Sequence, residues 1–342
     1  MKNEMQALLY PEYGKLTIAT QPVPSIASDE VLLRVGACGI CGSELESFAS
    51  RSERRKPPLI MGHEFSGTVA EVGKEVKHFR EGMRVVSNSL VSCGACSSCL
   101  RGETNLCVRR QIFGMHRGGA FAEYVNVPAR CLIPMSDHVS FETACLSEPL
   151  ANGVHMVGLT NHLHLNQMLV FGAGPIGLMA QLAFQALRNV PVIVSDIKDE
   201  RLAVAKKLGA VHTINSAKEN IEESIAAITA GDGLDLVVDA VGMEQTNRLG
   251  LKLLRPGGTM VMIGLHQNSQ PYHSYDIILP EKKIIGSYAC KDDEMKTALD
   301  LITDGRVDVT SWIDYFPLSE GATVFAGLVS KEKDWIKTVL TM

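Results

Sequence analysis

A glycine-rich turn in the middle of the chain constrains the fold most strongly. Gly172, Gly174 and Gly177 give the pattern G-x-G-x-x-G directly after the apolar run QMLVF and at the start of the amphipathic run GLMAQLAFQALR, and Asp196 ends the next apolar run. Between a strand and a helix, such glycines let the backbone approach a pyrophosphate, and the acid can hydrogen-bond an adenosine ribose. The alternative is a tight strand–helix turn without a ligand. The full pattern predicts a Rossmann domain, and the charge of Asp196 favours NAD over NADP.

The chain divides by composition into two regions. Its 342 residues are enough for two domains. Residues 1–150 contain short β-type runs, such as EVLLRVGA and FAEYVNV, which predict a β-rich domain. Residues 151–290 alternate apolar strands with amphipathic helices, which predicts βαβ units and a parallel sheet in an α/β fold. The last segment, with a helix predicted over EMKTALDLITDG, is a candidate to rejoin the first region.

Charge and hydropathy exclude several classes of protein. A net charge of −5 argues against a nucleic-acid binder. The sequence has no apolar run of the roughly 18 residues that a membrane span needs, and its N-terminus lacks the features of a secretory signal. We therefore expect a cytoplasmic protein with neither nucleic-acid nor membrane partners. In a reducing compartment, its nine cysteines are more compatible with metal thiolates than with disulfides.

Four cysteines are concentrated in the stretch SCGACSSCLRGETNLC. They are Cys93, Cys96, Cys99 and Cys107. Four thiolates in one short lobe satisfy tetrahedral zinc without an open position, which is typical of a structural site. An iron–sulfur cluster also takes four thiolates and is the alternative.

A second group of possible ligands is spread along the chain. VGACGICGSELESF contains Cys38 and Cys41, which form a redox pair, part of a metal site or small core residues. GHEFSGTVAEVGKEV contains His63, and SEPLANG contains Glu148. One cysteine, one histidine and one glutamate supply three zinc ligands and leave a position for water or substrate. Each residue alone has an ordinary structural explanation, but beside a dinucleotide-binding pattern the set predicts a catalytic zinc.

With these motifs, the sequence resembles the zinc-dependent medium-chain dehydrogenase/reductase superfamily, on the sorbitol (polyol) dehydrogenase side. The resemblance rests on GICGSE, GHEFSGTVAEVGKEV, the four-cysteine lobe, SEPLANGVH and GAGPIGL, and it covers nearly the whole chain. It implies a GroES-like catalytic domain over residues 1–150 and 291–342, with a Rossmann NAD-binding domain over 151–290. It also implies a homodimer or homotetramer that takes a small alcohol or polyol, with NAD and two zinc ions per chain.

The resemblance assigns roles to individual residues. Cys41, His63 and Glu148 become the catalytic zinc ligands, with Glu64 as a neighbouring or alternating ligand, and Ser43 becomes the proton-relay hydroxyl. Cys38 becomes a packed neighbour. The implied cofactor-binding residues are Gly172, Gly174, Pro175, Ile176, Gly177, Asp196, Arg201 and Leu265.

The chain departs from polyol dehydrogenases where substrates bind. The CGSDVHY of those enzymes is CGSELES here, so Glu46 and Ser47 replace a histidine and a tyrosine. GSYAC stands where they carry an Arg-Tyr pair, although Tyr288 is a candidate to line the nicotinamide pocket. The basic stretch SRSERRKPP either captures a phosphate or carboxylate or is a solvated loop; its basic residues are Arg51, Arg54, Arg55 and Lys56.

These observations favour oxidation of a secondary alcohol, either a polyol or a sugar derivative, to a ketone with NAD. Alternatives within the same chemistry are a sugar-alcohol phosphate, threonine or butanediol dehydrogenase. The alternative outside it is a dinucleotide-binding protein that has lost turnover, against which the presence of Cys41, Ser43, His63 and Glu148 argues.

Overall fold

The computed structural model describes residues 3–268 and 272–342. Its strands are β1 Glu4–Glu12, β2 Lys15–Pro22, β3 Glu30–Gly39, β4 Leu59–Ile60, β5 Glu64–Val72, β6 Arg84–Ser87, β7 Leu90–Val91, β8 Gln111–Ile112, β9 Tyr124–Pro128, β10 Leu132–Pro134, β11 Met168–Phe171, β12 Val192–Asp196, β13 His212–Asn215, β14 Leu234–Asp239, β15 Leu254–Met262, β16 Lys283–Gly286, β17 Ile313–Pro317 and β18 Lys337–Thr341. Its α-helices are α1 Gly42–Ser50, α2 Ser97–Leu100, α3 Phe141–Ala144, α4 Ser147–Leu159, α5 Pro175–Arg188, α6 Asp199–Lys207, α7 Ile221–Ile228, α8 Glu244–Leu253, α9 Tyr275–Ile278, α10 Asp292–Thr303 and α11 Gly321–Ser330.

The chain forms two compact units. The first unit contains Met1–Glu148, Lys291–Gly305 and Val309–Met342. The second contains Pro149–Cys290 and Arg306–Asp308. The C-terminal segment therefore returns to the N-terminal unit, and helix α4 begins in the first unit and continues in the second.

The first unit is built on a mixed sheet with the strand order β10-β6-β5-β3-β18-β17, and β9 also pairs with β3. A smaller sheet has the order β2-β1-β4. Strand β3 is buried over most of its length because it pairs with β5, β9 and β18. Apolar side chains from both sheets and from α11 form one core, which includes Leu8, Leu33, Phe65, Phe121 and Phe325.

The second unit is a parallel six-stranded sheet with the order β13-β12-β11-β14-β15-β16. This is the doubly wound Rossmann order, so the α/β prediction for this region is confirmed. Strand β11 is buried at every position, as expected of a parallel strand covered on both faces. The run GTMVMIGL contributes to β15, which lies inside the sheet because it pairs with both β14 and β16.

Within the described ranges, none of the helices combines the length and the apolar character needed to cross a membrane.

Candidate metal centres and dinucleotide site

The antiparallel pairing of β3 with β5 brings the scattered ligand residues together. Gly39 at the end of β3 lies opposite Glu64 at the start of β5. Cys41 follows β3 as the N-cap residue of α1, and His63 immediately precedes β5. Ligand atoms of Cys41, His63 and Glu64 all lie within 4.8 Å of one another. A Cβ built at Gly39 would lie 2.1 Å from a Glu64 carboxylate oxygen, so a larger residue there would displace the Glu64 carboxylate.

Glu44 supports this group from the first turn of α1. One of its carboxylate oxygens pairs with His63 Nδ1 at 2.9 Å and also accepts from the Gly62 backbone N–H at 2.8 Å. The other oxygen accepts from the Cys41 backbone N–H at 3.0 Å. Glu44 is completely buried. A carboxylate on one ring nitrogen of a histidine fixes the ring and leaves the other nitrogen to bind a metal.

The charges in this group shift one another's pKa values. Burial alone would raise the pKa of the Glu44 carboxyl, but His63, Arg55 and the Cys41 N–H lower it to about 2. Burial also opposes a charge on His63, yet Glu44 and Cys41 raise the pKa of the His63 imidazole well above its usual value. Since a metal-binding imidazole must be neutral, metal binding here is coupled to proton release.

Glu148 is placed differently from the other predicted ligands. It lies in the first turn of α4 and does not belong to the 4.8 Å group, which contains Glu64 instead. Burial raises the pKa of Glu148, and the nearby Glu64 adds to the rise, while His63 and a hydrogen bond with Ser89 oppose it. Glu148 is therefore close enough to interact electrostatically with both His63 and Glu64.

A buried lysine neutralises Glu64. Lys337 from β18 donates a hydrogen bond to the Glu64 carboxylate and another, at 2.8 Å, to the Ile40 carbonyl oxygen. Burial disfavours the charged form of Lys337, but Glu64 and Cys41 raise its pKa above the usual value.

Ser43 lies beside Cys41, and an arginine contacts it from the other side. The Ser43 hydroxyl donates to Cys41 Sγ at 3.4 Å and accepts from Arg55 Nη2 at 3.2 Å. Arg55 is only 2% exposed, so the prediction of a solvated basic loop is wrong for this residue. Arg51 and Arg54 are exposed, and Lys56 is exposed and forms an ion pair with Glu53.

The four-cysteine lobe forms a second group of possible ligands. The sulfur atoms of Cys93, Cys96, Cys99 and Cys107 all lie within 4.8 Å of one another. Hydrogen bonds, led by one from the Ala95 backbone N–H, lower the pKa of Cys93 to about 6. Arg109 also donates to the Cys93 sulfur at 3.3 Å, while burial raises the pKa of Cys99 to about 11.

In the second unit, the glycine-rich turn has the form of a dinucleotide cradle. Helix α5 begins at Pro175 after its N-cap, Gly174. A Cβ at Gly177 would lie 1.7 Å from the Gly172 carbonyl oxygen, so only glycine fits. A Cβ at Gly174 would meet nothing nearer than an Arg201 guanidinium nitrogen at 3.8 Å, which leaves the turn open above the helix N-terminus.

Asp196 ends β12 beside this turn. One carboxylate oxygen accepts from the Ala173 N–H at 2.7 Å and the other from the Lys198 N–H at 2.9 Å. Ile176 lies half-buried in the first turn of α5. Leu265 follows β15 and is 73% exposed. The turn, Asp196 and Arg201 are thus neighbours.

The residues present fit the groups that the sequence predicts. Thiol, imidazole and carboxylate donors are the set that zinc prefers, and four clustered thiols suit a closed zinc site. Side chains would clash at Gly172 and Gly177. The turn formed by these glycines can present backbone N–H groups to a pyrophosphate.

Two residues of the first centre, Glu44 and Lys337, were not predicted from the sequence, and Arg55 was predicted only as part of a basic stretch. For Glu44 a signal existed, because an acid at the third position of a helix can fold back onto the N-cap. For Lys337 no local signal exists, because its contact with Glu64 joins residues 273 positions apart.

Two family models match the chain. The Alcohol dehydrogenase GroES-like domain matches residues 27–137. The Zinc-binding dehydrogenase model matches residues 175–304. The β-rich region is therefore GroES-like, as the resemblance implied.

Curated relatives match over nearly the full chain. D-arabitol-phosphate dehydrogenase from Enterococcus avium is 33% identical and is aligned over 92% of this chain and 91% of its own. L-threonine 3-dehydrogenase from Bacillus velezensis is 35% identical, with 94% of each chain aligned. Sorbitol dehydrogenase from Bacillus subtilis is 34% identical, with 89% of this chain and 87% of its own aligned.

Solved structures share the fold over the whole chain. A short chain alcohol dehydrogenase from Escherichia coli, complexed with NADH, is 28% identical with a TM-score of 0.93, and all of both chains is covered. A putative zinc-binding dehydrogenase from Sinorhizobium meliloti, bound to NADP, is 27% identical with a TM-score of 0.91, again with all of both chains covered. The chain belongs to the zinc-dependent medium-chain dehydrogenase/reductase superfamily.

Proposed function

We propose that this protein oxidises a secondary alcohol, either a polyol or a sugar derivative, to a ketone and transfers the hydride to NAD. The observation that carries the proposal is the group of Cys41, His63 and Glu64 within 4.8 Å, with Glu44 bonded to His63 Nδ1. In this proposal the first unit is the catalytic domain and the second unit binds the dinucleotide.

The metal ligands proposed are Cys41, His63 and Glu148, with Glu64 as an alternating ligand. Zinc, when bound, supplies Lewis-acid chemistry that makes an alcohol hydroxyl easier to deprotonate, and NAD supplies the hydride acceptor. Glu44 holds His63 so that its second nitrogen faces the metal. Lys337 balances the charge of Glu64, whichever position that carboxylate takes.

Ser43 is proposed as the group that takes the proton from the alcohol. Its hydroxyl lies 3.4 Å from Cys41 Sγ, next to a proposed ligand, and is half-buried. A hydroxyl can accept the substrate proton while it releases its own, so it relays a proton and remains neutral itself.

NAD is proposed over NADP because of Asp196. Its carboxylate lies at the glycine turn and would repel a 2′-phosphate while accepting a hydrogen bond from a 2′-hydroxyl. Lys198 and Arg201 are the nearby cations that could favour NADP, and solved relatives hold both cofactors. The Asp196→Ser variant should lose most of the preference for NAD in kcat/KM measurements with both cofactors. If the wild type prefers NADP, this assignment is wrong.

Two zinc ions per chain are proposed, one at the catalytic group and one at the four-cysteine lobe. The lobe has four sulfur donors and no further position, so its zinc would stabilise structure. We also propose a homodimer or homotetramer, which light scattering on the purified protein would test.

The first experiment on function is an NADH-absorbance assay of the zinc-replete protein with plain polyols, sugar-alcohol phosphates, threonine and 2,3-butanediol. Activity concentrated on polyols or their derivatives supports the proposal. Preference for phosphorylated substrates would select the arabitol-phosphate type of reaction and direct attention to the exposed Arg51 and Arg54. Binding of NADH and two zinc ions without any turnover would favour the non-catalytic alternative.

A further inference from the structure

Arg55 is an unusual residue for its position. It belongs to the loop between α1 and β4, yet its side chain is among the largest fully buried in the described part of the chain. Its guanidinium donates to the Gly114 carbonyl oxygen at 3.1 Å, the Ser43 carbonyl oxygen at 2.8 Å, Ser47 Oγ at 2.9 Å and Ser43 Oγ at 3.2 Å.

The hydrogen-bond partners of Arg55 do not neutralise it. All four acceptors are neutral, and the buried Glu44 carboxylate interacts with the guanidinium through its charge, without a hydrogen bond between them. Burying a cation in this way costs free energy that neutral hydrogen bonds repay only in part. A neutral side chain could also form hydrogen bonds that link α1 to the loop at Gly114. The charge itself therefore calls for an explanation.

The directions of the hydrogen bonds around Ser43 provide an explanation for the buried charge of Arg55. A guanidinium only donates, so Ser43 Oγ must accept from Arg55. The single Ser43 proton is then free to point away from Arg55, and it points toward Cys41 Sγ. Arg55 thus sets which side of the hydroxyl donates and which side accepts, at the atom that the proposed function uses for proton transfer.

We infer that Arg55 is a positioning residue of the proposed reaction: its buried guanidinium orients the Ser43 hydroxyl and provides a fixed positive charge beside it. This inference rests on the proposed function. In the reaction, Ser43 Oγ would take the alcohol proton and turn its own proton from Cys41 Sγ to solvent, which the half-buried hydroxyl can reach, and NAD, when bound, would supply the hydride acceptor. Negative charge develops at the oxygens near Ser43 in that step, and a preorganised cation stabilises such charge. Arg55 keeps its proton throughout.

The same arrangement accounts for a departure seen in the sequence. The histidine of the polyol-dehydrogenase pattern is Glu46 here, and Glu46 is exposed. Ser47, in place of the tyrosine, is buried and accepts from Arg55. In this chain, Arg55 therefore contacts the residue that stands at the tyrosine position of that sequence pattern.

The test compares Arg55→Met and Arg55→Lys with Arg80→Met, which removes the same charge from an exposed position of the same unit. We expect Arg55→Met to keep both zinc ions and to lower kcat at least tenfold, with a much smaller change in KM. The loss should be less than the roughly 100- to 1000-fold seen when a donor that contacts the developing charge is removed, because Arg55 acts through Ser43. Arg55→Lys should retain more activity than Arg55→Met, because it keeps the charge. The solvent deuterium isotope effect on kcat should rise in Arg55→Met, since proton transfer becomes slower.

A purely structural role predicts different results. Activity that falls only in proportion to lost zinc or lost folded protein would overturn the inference, as would a kcat for Arg55→Met equal to that of Arg80→Met. Should Arg55→Met not fold, the cycle of Ser43→Ala, Arg55→Lys and the double variant replaces it. The lysine substitution should then lower kcat in the wild-type background and have little effect without Ser43; equal effects in both backgrounds would overturn the inference.

One measurement separates this inference from the proposed function. In protein loaded with Co²⁺, the absorption difference between Arg55→Met and wild type cancels the four-cysteine site and reports the surroundings of Cys41. A difference in the cobalt–thiolate bands, absent for Arg80→Met, supports the Arg55–Ser43–Cys41 arrangement even if no alcohol is oxidised. Identical spectra would overturn it whatever the activity.

Discussion

The Lys337 ammonium group donates a hydrogen bond to the Glu64 carboxylate, and each of these side chains is only 1% exposed. The pair joins β18 to β5 across the central sheet of the first unit. Glu64 also belongs to the group of possible metal ligands, so the negative charge at that centre depends on a lysine almost at the end of the chain.

Replacing the lysine alone should be strongly destabilising. Lys337→Met leaves the Glu64 carboxylate buried without its partner, which costs about 3–5 kcal/mol of unfolding free energy. Denaturant unfolding of wild type and variant, each freed of metal, measures the loss. The double variant Glu64→Gln/Lys337→Met should be less destabilised than Lys337→Met. If the double variant loses the sum of the two single losses, the pair is not coupled.

The support that Glu44 gives to His63 should appear in metal affinity. Glu44→Gln keeps the size of the side chain but removes the charge that holds Nδ1, and loss of such a partner typically weakens metal binding about 10- to 100-fold. Competition with a chromogenic chelator measures the affinity of the catalytic ion. The matched control is Glu46→Gln on the exposed face of the same helix, which should bind zinc like the wild type. Equal affinities for both variants would contradict the assignment of Glu44.

The two groups of ligands should lose zinc independently. Cys96→Ser should reduce the zinc content from two ions to one and lower the melting temperature, because a structural zinc contributes folding free energy. Cys41→Ser should also lose one ion, but with loss of turnover and little change in melting temperature. Metal analysis combined with thermal unfolding distinguishes the two outcomes. A single ion in the wild type would rule out the assignment of two sites.

Glu30 provides a pH-dependent test of the β-rich unit. Burial would raise the pKa of Glu30, but hydrogen bonds from Arg117 at 2.6 Å and from the Ala27 N–H and Asn126 lower it below the usual 4.5. Since the pKa is lower in the folded state, the stabilisation is complete above pH 4.5 and is lost as the pH falls through the folded-state value. Glu30→Gln should therefore be less stable than wild type at pH 7 by about 1.5–3 kcal/mol, the range for hydrogen bonds to a charged group.

The difference between wild type and Glu30→Gln should shrink when urea unfolding is repeated below pH 4.5. Glu81→Gln, at an exposed position, serves as the control and should follow the wild type at every pH. A difference that stays constant as the pH is lowered from 7 through the folded-state pKa, which lies below 4.5, would show that the charge of Glu30 does not contribute.

Short stretches of sequence encode the parts of the molecule that could be predicted. The turn from Gly172 to Gly177 and the lobe from Cys93 to Cys107 each occupy one short continuous segment, so spacing alone indicates their geometry. The alternation of strands and helices in the second unit is likewise local, and its parallel sheet was predictable for that reason.

The contacts that complete the first centre depend on how distant segments meet. Arg55 occurs in a run of basic residues that is typical of a solvated loop, and only the fold shows that its side chain is buried under α1. Lys337 and Glu64 meet because β18 pairs with β3, which in turn pairs with β5. Composition and spacing carry no information about such register.

The position of β18 has a consequence for how the molecule is made. This strand lies between β3 and β17 inside the sheet of the first unit, and it is synthesised after the whole second unit. The second unit, by contrast, draws nearly all its residues from Pro149–Cys290 and is fully synthesised earlier. Because domains generally fold as units during synthesis, the dinucleotide cradle can form before β18 has joined the sheet of the first unit. A nascent chain stalled before Lys337 would therefore carry Glu64 without its counterion, and this centre reaches its charge balance only once β18 has been synthesised.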